Sequence, residues 1–484
     1  MNLAEHVLRA GLDVPDGQAL VVMGHDDAQV WSHAELRRAV LGTATGLLRA
    51  GLRPGDRLLM RLANRPAFPI AYLGAIAAGV VPVPTSAQLT APEITRIATR
   101  IAPAVIVAGA GVPLPDHPAP VLTEDDLDGF ATMPPAEFAQ GAADRLGYIV
   151  FTSGSSGQPR AVMHAHRAIL ARQAMMQGWY GLRPDDRLLH AGAFNWTFTL
   201  GTGLLDPWTL GATALIPAPG TPIEQIPALA ARHGATILAG APGIFRRLLR
   251  ADWPPIATLR HALAAGERLD PALRAAWTAR TGTDIHEAMG ASEISTFLSG
   301  SPDRPAPPGT AGYPQPGRHV AVLDTDGPGQ PGPLAVRADD PGLFLGYLDD
   351  PAATRACFRD GWFLTGDLAQ AAPNGAITLL GRADDIMNAG GFRIAPPEIE
   401  DHLATHPDAG DVAVAELPVA PGVTIVAAFW TGPATPAQMQ ALAQDGLARY
   451  KQPRAWIPLD ALPRTPTGKI NRRALRAAHR KDLE

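Results

Sequence analysis

A short apolar run, Tyr148-Ile149-Val150-Phe151, leads into Thr152-Ser153-Gly154-Ser155-Ser156-Gly157-Gln158-Pro159-Arg160. Glycines and small hydroxyl side chains allow successive backbone N–H groups to converge on an anion, and a nucleotide triphosphate suits such a nest. The run lacks the Gly-Lys-Ser/Thr ending of a Walker loop, which disfavours an ordinary P-loop nucleotidase. Taken alone, a Gly/Ser stretch serves equally well as a plain turn. His164 and His166 follow closely, and for them a core or helix-capping role stands beside a catalytic one. No His/Cys cluster has the spacing of a transition-metal site.

The elements around this loop repeat one theme. Ser32 can cap a helix through about Ala50, with Gly51 as its stop, and the apolar run Arg57 to Leu62 then reads as a strand. The same order recurs at 91–101 and 104–108, at 222–233 and 235–240, and at 271–280 and 284–288. Such alternation predicts an α/β fold of largely parallel sheets covered by helices on both faces. The most apolar stretch, Pro69 to Pro84, is too short to span a bilayer and reads as a buried helix running into a strand. From about 310 to 380 the pattern changes to short strands and Gly/Pro turns, a β-rich subdomain of a large N-terminal domain over 1–382. Residues 383–484 read as a small C-terminal α+β domain, with helices at 396–402 and 436–450 and strands at 411–417 and 423–430.

Composition narrows the function. A chain of 484 residues with 46% hydrophobic and 18% charged side chains must bury a large core, so disorder and a disulfide scaffold are excluded. With 41 basic against 46 acidic residues the net charge is -5, which predicts no nucleic-acid partner and no anionic membrane surface. Cys357 is the only cysteine, and neither a signal peptide nor a membrane span is read, so a cytoplasmic location is expected. Only three lysines occur, Lys451, Lys469 and Lys481, which makes each retained lysine informative.

Four later segments change the weight of the Gly/Ser loop. They are Glu287-Ala288-Met289-Gly290-Ala291-Ser292-Glu293; Gly361 through Gly366-Asp367; Gly381-Arg382-Ala383-Asp384-Asp385 through Gly390-Gly391-Phe392-Arg393-Ile394; and Pro463 through Thr467-Gly468-Lys469. In this order and spacing the five segments resemble the adenylate-forming superfamily of acyl- and aryl-CoA synthetases, peptide-synthetase adenylation domains and beetle luciferases. The resemblance covers nearly the whole chain. It implies conversion of a carboxylate and ATP into an acyl adenylate and pyrophosphate, followed by capture of the acyl group by a thiol.

The resemblance also implies roles. Residues Thr152, Ser153, Gly154, Ser155, Ser156 and Gly157 would wrap the β- and γ-phosphates, with Arg160 standing where similar enzymes have lysine. Glu293 would hold Mg²⁺, a hard cation that prefers oxygen ligands, and Ser292 would place a hydroxyl near the α-phosphate. Glu287, Ala288 and Met289 would line one side of adenine, with methionine in place of the family's usual tyrosine, and Gly266 and Glu267 the other. Asp367 would accept from the ribose hydroxyls and Arg382 would donate to them. The small domain is mobile in this reading, hinging near Asp384. In one pose Lys469 would bridge the acid and the α-phosphate; in the other Gly391, Phe392 and Arg393 would meet coenzyme A. Each residue also has a plainer role open to it: a capping Ser292 and solvated Glu293, a turn Asp367, a charged tail at Lys469. Lys451, Arg454, Arg472 and Arg473 could meet CoA phosphates or form a solvated basic face.

The acyl pocket implied by the family comprises Phe194, Asn195 and Trp196, then Gly240 and Ala241, then the strand reaching Gly290. These side chains are small or aromatic, which suits a compact, uncharged acid: aromatic, alicyclic or short and branched. Amino-acid-activating relatives place an aspartate after the phenylalanine, and here Asn195 stands instead. Three readings remain: an AMP-forming CoA ligase, a loader of a separate carrier protein, and a non-catalytic adenylate-binding module. A homodimer is also left open.

Overall fold

The computed structural model describes the chain except for residues 25–26, 153–159, 267, 326, 383–386, 390–391, 395, 421–422, 448, 450, 466–469 and 480–484. The Ser32 hydroxyl accepts from the Glu35 amide while the Glu35 carboxylate accepts from the Ser32 amide, and this reciprocal cap opens the helix His33–Arg49. Gly51, at φ +95°, turns the chain out of it. Thr90 and Glu93 repeat the device at the helix Ala91–Ile101. The helix Ala67–Ala77 has no polar face and is buried from Phe68 onward, as its uninterrupted apolar sequence requires.

Two compact units result, one from Met1–Gly154, Pro159–His319 and Arg337–Gly361, the other including Val320–Val336 and Trp362–Glu484. The division expected at residue 383 and the hinge at Asp384 lie outside the described residues.

In the larger unit a nine-stranded sheet has a parallel centre. Its order runs Ile285–Ala291, His261–Ala265, Ile237–Gly240, Arg187–His190, Thr213–Pro217 and Gln18–Met23. Antiparallel strands flank this centre: Ala28–Ser32 on one side, Ser295–Ser299 and Tyr313–Pro314 on the other. A second, parallel sheet is formed by Val81–Pro84, Arg57–Arg61, Val105–Ala108 and Val121–Thr123. The α/β class read from the alternation is the class observed.

The strand before the Gly/Ser loop departs from the parallel pattern. Leu146–Thr152 pairs antiparallel with Arg160–Ala165, and Gly346–Tyr347 extends this small sheet on the far side. Too few residues separate Thr152 from Arg160 for a parallel crossover, which takes a dozen or more; a hairpin needs far fewer. The helix expected over 222–233 begins instead as a 3₁₀ turn, Ile223–Gln225, and becomes α-helical at Ile226–Arg232. Pro227 has no N–H to return to a preceding α-turn, so it sits in the first turn of the α-helix rather than in its interior.

Two helical segments behind the central sheet contain π turns, Met176–Tyr180 and Gly201–Leu205. Arg172 joins them from within the core. Its Nε and Nη2 donate to the two Asp206 oxygens at 2.7 and 2.6 Å, and its Nη1 donates to Ser295 at 2.8 Å. Tyr180 donates to the same carboxylate at 2.8 Å. Burial opposes the charge on Arg172, but Asp206 outweighs it and holds the guanidinium protonated. Gly201 is glycine because a Cβ there would meet Arg172 Nη2 at 2.1 Å.

The smaller unit contains the hairpin of Trp362–Ala371 with Ile377–Arg382, and Val320–Val322 paired with Gly332–Arg337. Its C-terminal part is a three-stranded sheet, Val412–Ala420, Val423–Trp430 and Ala455–Pro458, accompanied by the helices Pro396–Leu403, Pro436–Gly446 and Arg472–Ala478. The helix expected to reach 450 stops at Gly446, which lies flat against the His402 ring; Leu447 is already extended. Among the described residues no helix is long and apolar enough to cross a membrane.

Candidate active site

The hairpin places Thr152 and Arg160 directly opposite each other. The loop residues Ser153, Gly154, Ser155, Ser156 and Gly157 lie outside the described residues. Arg160 is half-buried, with its guanidinium carbon 5.1 Å from the centre of the Tyr347 ring. Four positions further along the strand, His164 gives its Nε2 to the Ser292 carbonyl at 2.8 Å and stacks on Tyr148. Burial lowers its pKa to about 4, so it is a neutral strut between the loop strand and Ser292. His166 accepts from the Leu3 amide and is likewise pushed down to about 4 by burial. Both histidines therefore take the core role.

Ser292 and Glu293 stand just beyond the end of the strand Ile285–Ala291, and both are half-buried. Glu293 Oε1 accepts a 2.8 Å hydrogen bond from the Tyr347 hydroxyl. Nothing in the local sequence around Gly346-Tyr347 signals this contact. Burial, reinforced by the Glu293 charge, raises the Tyr347 pKa and keeps the hydroxyl a donor. Earlier on the same strand, Glu287 turns its carboxylate to the Leu269 amide at 2.9 Å and towards Arg274. Its pKa is raised because burial outweighs those contacts. Ala288 pairs with Ala265 and is buried; Met289 is half-buried. Gly290, exposed, admits no side chain, since a Cβ would fall 2.3 Å from the Ser295 carbonyl oxygen.

Gly266 follows the strand His261–Ala265 at φ +96°. A Cβ there would lie 2.7 Å from Cζ2 of Trp196. The structure thus brings Trp196, from the expected acyl segment, against the segment expected beside adenine; Glu267 lies outside the described residues. Trp196 also packs edge-on against Phe198, which stacks on Trp179. Phe194 is buried on Phe68, and Asn64 pins its segment by accepting from the Phe194 amide at 2.9 Å and donating to the Gly192 carbonyl at 2.7 Å. Asn195 is half-buried. Gly240 ends a central parallel strand, and Ala241 begins the helix Pro242–Leu248. These positions cluster at the carboxyl ends of the parallel strands, where open α/β sheets bind ligands.

In the smaller unit Asp367 and Arg382 are paired across the hairpin register, with Arg382 Nη1 3.7 Å from the carboxylate and donating to the Thr365 carbonyl at 2.8 Å. Gly366, at φ +78°, leaves the space that the Arg382 guanidinium occupies. The backbones of Phe392 and Arg393 form a short hairpin with Met387–Ala389. Asp384, Gly391 and Lys469 lie outside the described residues. Arg472, expected either to meet CoA phosphates or to join a solvated basic face, donates through its Nη2 to both Glu400 oxygens at 2.6 and 2.7 Å and through its Nε to the Val414 carbonyl.

Residues 9–348 match the AMP-binding enzyme family, and residues 398–469 match the C-terminal domain of AMP-binding enzymes. The chain belongs to this family. This AMP-binding enzyme is 31% identical to 3-hydroxybenzoate–CoA/4-hydroxybenzoate–CoA ligase of Thauera aromatica, over 98% of this chain and 97% of the other. Among solved structures, ATP-bound MatB from Rhodopseudomonas palustris matches with a TM-score of 0.89 at 27% identity, covering 100% of both chains. A benzoate CoA ligase from Burkholderia xenovorans LB400 matches with a TM-score of 0.86 at 26% identity, over 98% of this chain and 100% of that one. The AMP-binding enzyme therefore falls in the acyl- and aryl-CoA ligase branch of the adenylate-forming superfamily and is an acid–thiol ligase.

Proposed function

We propose that this AMP-binding enzyme activates a compact aromatic carboxylic acid with ATP and transfers the acyl group to coenzyme A. The observation that carries the reading is the seat of Trp196 on Gly266, which sets an aromatic wall of the acyl segment against the purine segment. The segments Phe194 to Thr197, Gly240 to Gly243 and Ala288 to Gly290 contain no charged side chain, which favours an uncharged acyl group. Relatives whose names specify hydroxybenzoate and benzoate support the aromatic choice over an alicyclic or short branched acid.

A carboxylate is a poor electrophile until one oxygen becomes part of a leaving group, so the protein has to neutralise phosphate charge, align the acid and exclude water. Arg160 and the loop beginning at Thr152 would hold the β- and γ-phosphates. Glu293 fits Mg²⁺ by its chemistry: one half-buried carboxylate, with no cluster of three or more His, Cys, Asp or Glu ligands among the described residues. Mg²⁺ is commonly held by one or two carboxylates with phosphate oxygens and water completing its shell. When bound it would supply charge neutralisation at the phosphates. Ser292 would place its hydroxyl at the α-phosphate, Ala288 and Met289 would pack on adenine with Gly266 opposite, and Asp367 with Arg382 would take the ribose. Lys469 would bridge the carboxylate and the α-phosphate, and Gly391, Phe392 and Arg393 would receive the CoA arm after a hinge motion near Asp384.

The test is AMP release from a panel of benzoates, alicyclic and short branched acids, with CoA present and absent. CoA-dependent turnover that is fastest with a benzoate is expected. Turnover only with an added carrier protein would transfer the second half-reaction to that partner, and no AMP release from any acid would refute the reading.

A further inference from the structure

We propose that Tyr347 is a positioning residue that holds the two opposite charges of the nucleotide site, Glu293 through its hydroxyl and Arg160 through its ring face. The inference rests on the reading of Glu293 as the Mg²⁺ carboxylate and Arg160 as a phosphate cation. Tyr347 is itself firmly held. Its amide donates to Thr354 Oγ1 at 2.9 Å, and its strand pairs with Val162 and Met163, two and three residues after Arg160. The neighbouring Phe344 amide donates to the Glu293 carbonyl at 2.8 Å, so the backbone carrying the metal carboxylate is tied to the same segment. With 6% of its surface exposed, Tyr347 gives its hydroxyl to Glu293 Oε1 at 2.8 Å and offers its ring to the Arg160 guanidinium at 5.1 Å.

The arrangement solves a problem that the two charges create. A free arginine and a free glutamate this close to one ring would be drawn into a direct ion pair, which would withdraw both from ligand. Among the described residues Arg160 and Glu293 form no such pair with each other. The hydroxyl occupies one carboxylate oxygen and leaves the second to a cation, while the ring face satisfies the guanidinium without neutralising it. The ring also accounts for arginine at 160: a planar, weakly hydrated guanidinium stacks on an aromatic face better than a compact ammonium does.

The test is calorimetric ATP binding to the full-length enzyme, with excess Mg²⁺ and with EDTA, for wild type, Tyr347→Phe, Tyr347→Leu and Glu293→Gln. Tyr347→Phe keeps the ring and the packing, so it separates positioning from folding; its melting temperature is the control. Loss of an outer hydrogen bond to a metal ligand weakens metal-dependent binding by about 10-fold or more. Tyr347→Phe is therefore expected to weaken ATP binding by about that factor with Mg²⁺ and to leave binding in EDTA within about 2-fold. Arg160→Lys should weaken binding in EDTA by about 5-fold when Tyr347 is present and have little effect in the Tyr347→Leu background, if the ring holds the guanidinium. Equal losses with and without Mg²⁺ in Tyr347→Phe, or no loss in either, overturn the hydroxyl role. Equal Arg160→Lys effects in both backgrounds overturn the ring role. Glu293→Gln with unchanged Mg²⁺ dependence overturns the metal reading itself, whereas a Mg²⁺-sensitive Glu293→Gln beside an insensitive Tyr347→Phe overturns only the inference about Tyr347.

Discussion

Gly266→Ala tests whether the Trp196 wall positions substrate. The new Cβ would sit 2.7 Å from Cζ2 and 2.8 Å from Cη2 of the indole. Carbon pairs rest at about 3.5–4.0 Å, so the ring has to retreat by about 1 Å. The backbone at φ +96° adds strain for a residue with a Cβ, of the order of 1–2 kcal/mol. Stability should therefore fall only modestly. Catalysis should suffer more, because a displacement of about 1 Å in a positioned site costs about 10²-fold in rate. The assay is AMP release over a range of acid concentrations, with kcat/KM expected to fall by about 10²-fold. Trp196→Phe removes Cζ2 and Cη2, so the Gly266→Ala/Trp196→Phe double variant should recover part of that loss. An unchanged kcat/KM in Gly266→Ala, or a double variant no better than the single, would show that the contact does not position the acid.

Lys469→Ala should slow formation of the acyl adenylate by about 10²–10³-fold, the usual loss for one charge-stabilising donor, and should affect thiolysis of supplied acyl-AMP far less; rapid-quench measurement of both half-reactions distinguishes this from an equal loss in each. Stability should also depend on mild acid. Burial lowers His164, His261 and His286 to about 4 and His190 to about 3, so the unfolded chain binds protons near the ordinary histidine pKa that the folded chain refuses. This contribution is complete above the unfolded pKa and is lost as pH falls towards 4; urea midpoints should drop steadily from pH 7 to pH 5, and a flat profile would contradict the neutral burial of these rings.

Much of the fold is legible in short stretches of sequence. The Ser32–Glu35 and Thr90–Glu93 caps, the uninterrupted apolar run of 67–77 and the helix–strand alternation are interactions among residues within a turn or two of each other, so local spacing determines them. The same locality explains the misses. Periodicity alone reads through Pro227, whose missing amide favours the first turn of an α-helix over its interior, and it does not register that Gly446 ends its helix against the His402 ring. The site divides along the same line. The ordered segments from Thr152 to Lys469 carry the resemblance by residue type, and the family matched over residues 9–348 and 398–469 is the one they point to. The tertiary fold alone decides that Trp196 lies on Gly266, that Arg172 meets Asp206 34 residues away, and that Tyr347 reaches Glu293 across 54 residues to stand beside Arg160. Contacts at such separations depend on how sheets and loops pack, and no spacing along the chain records which side chains that packing brings within hydrogen-bond reach.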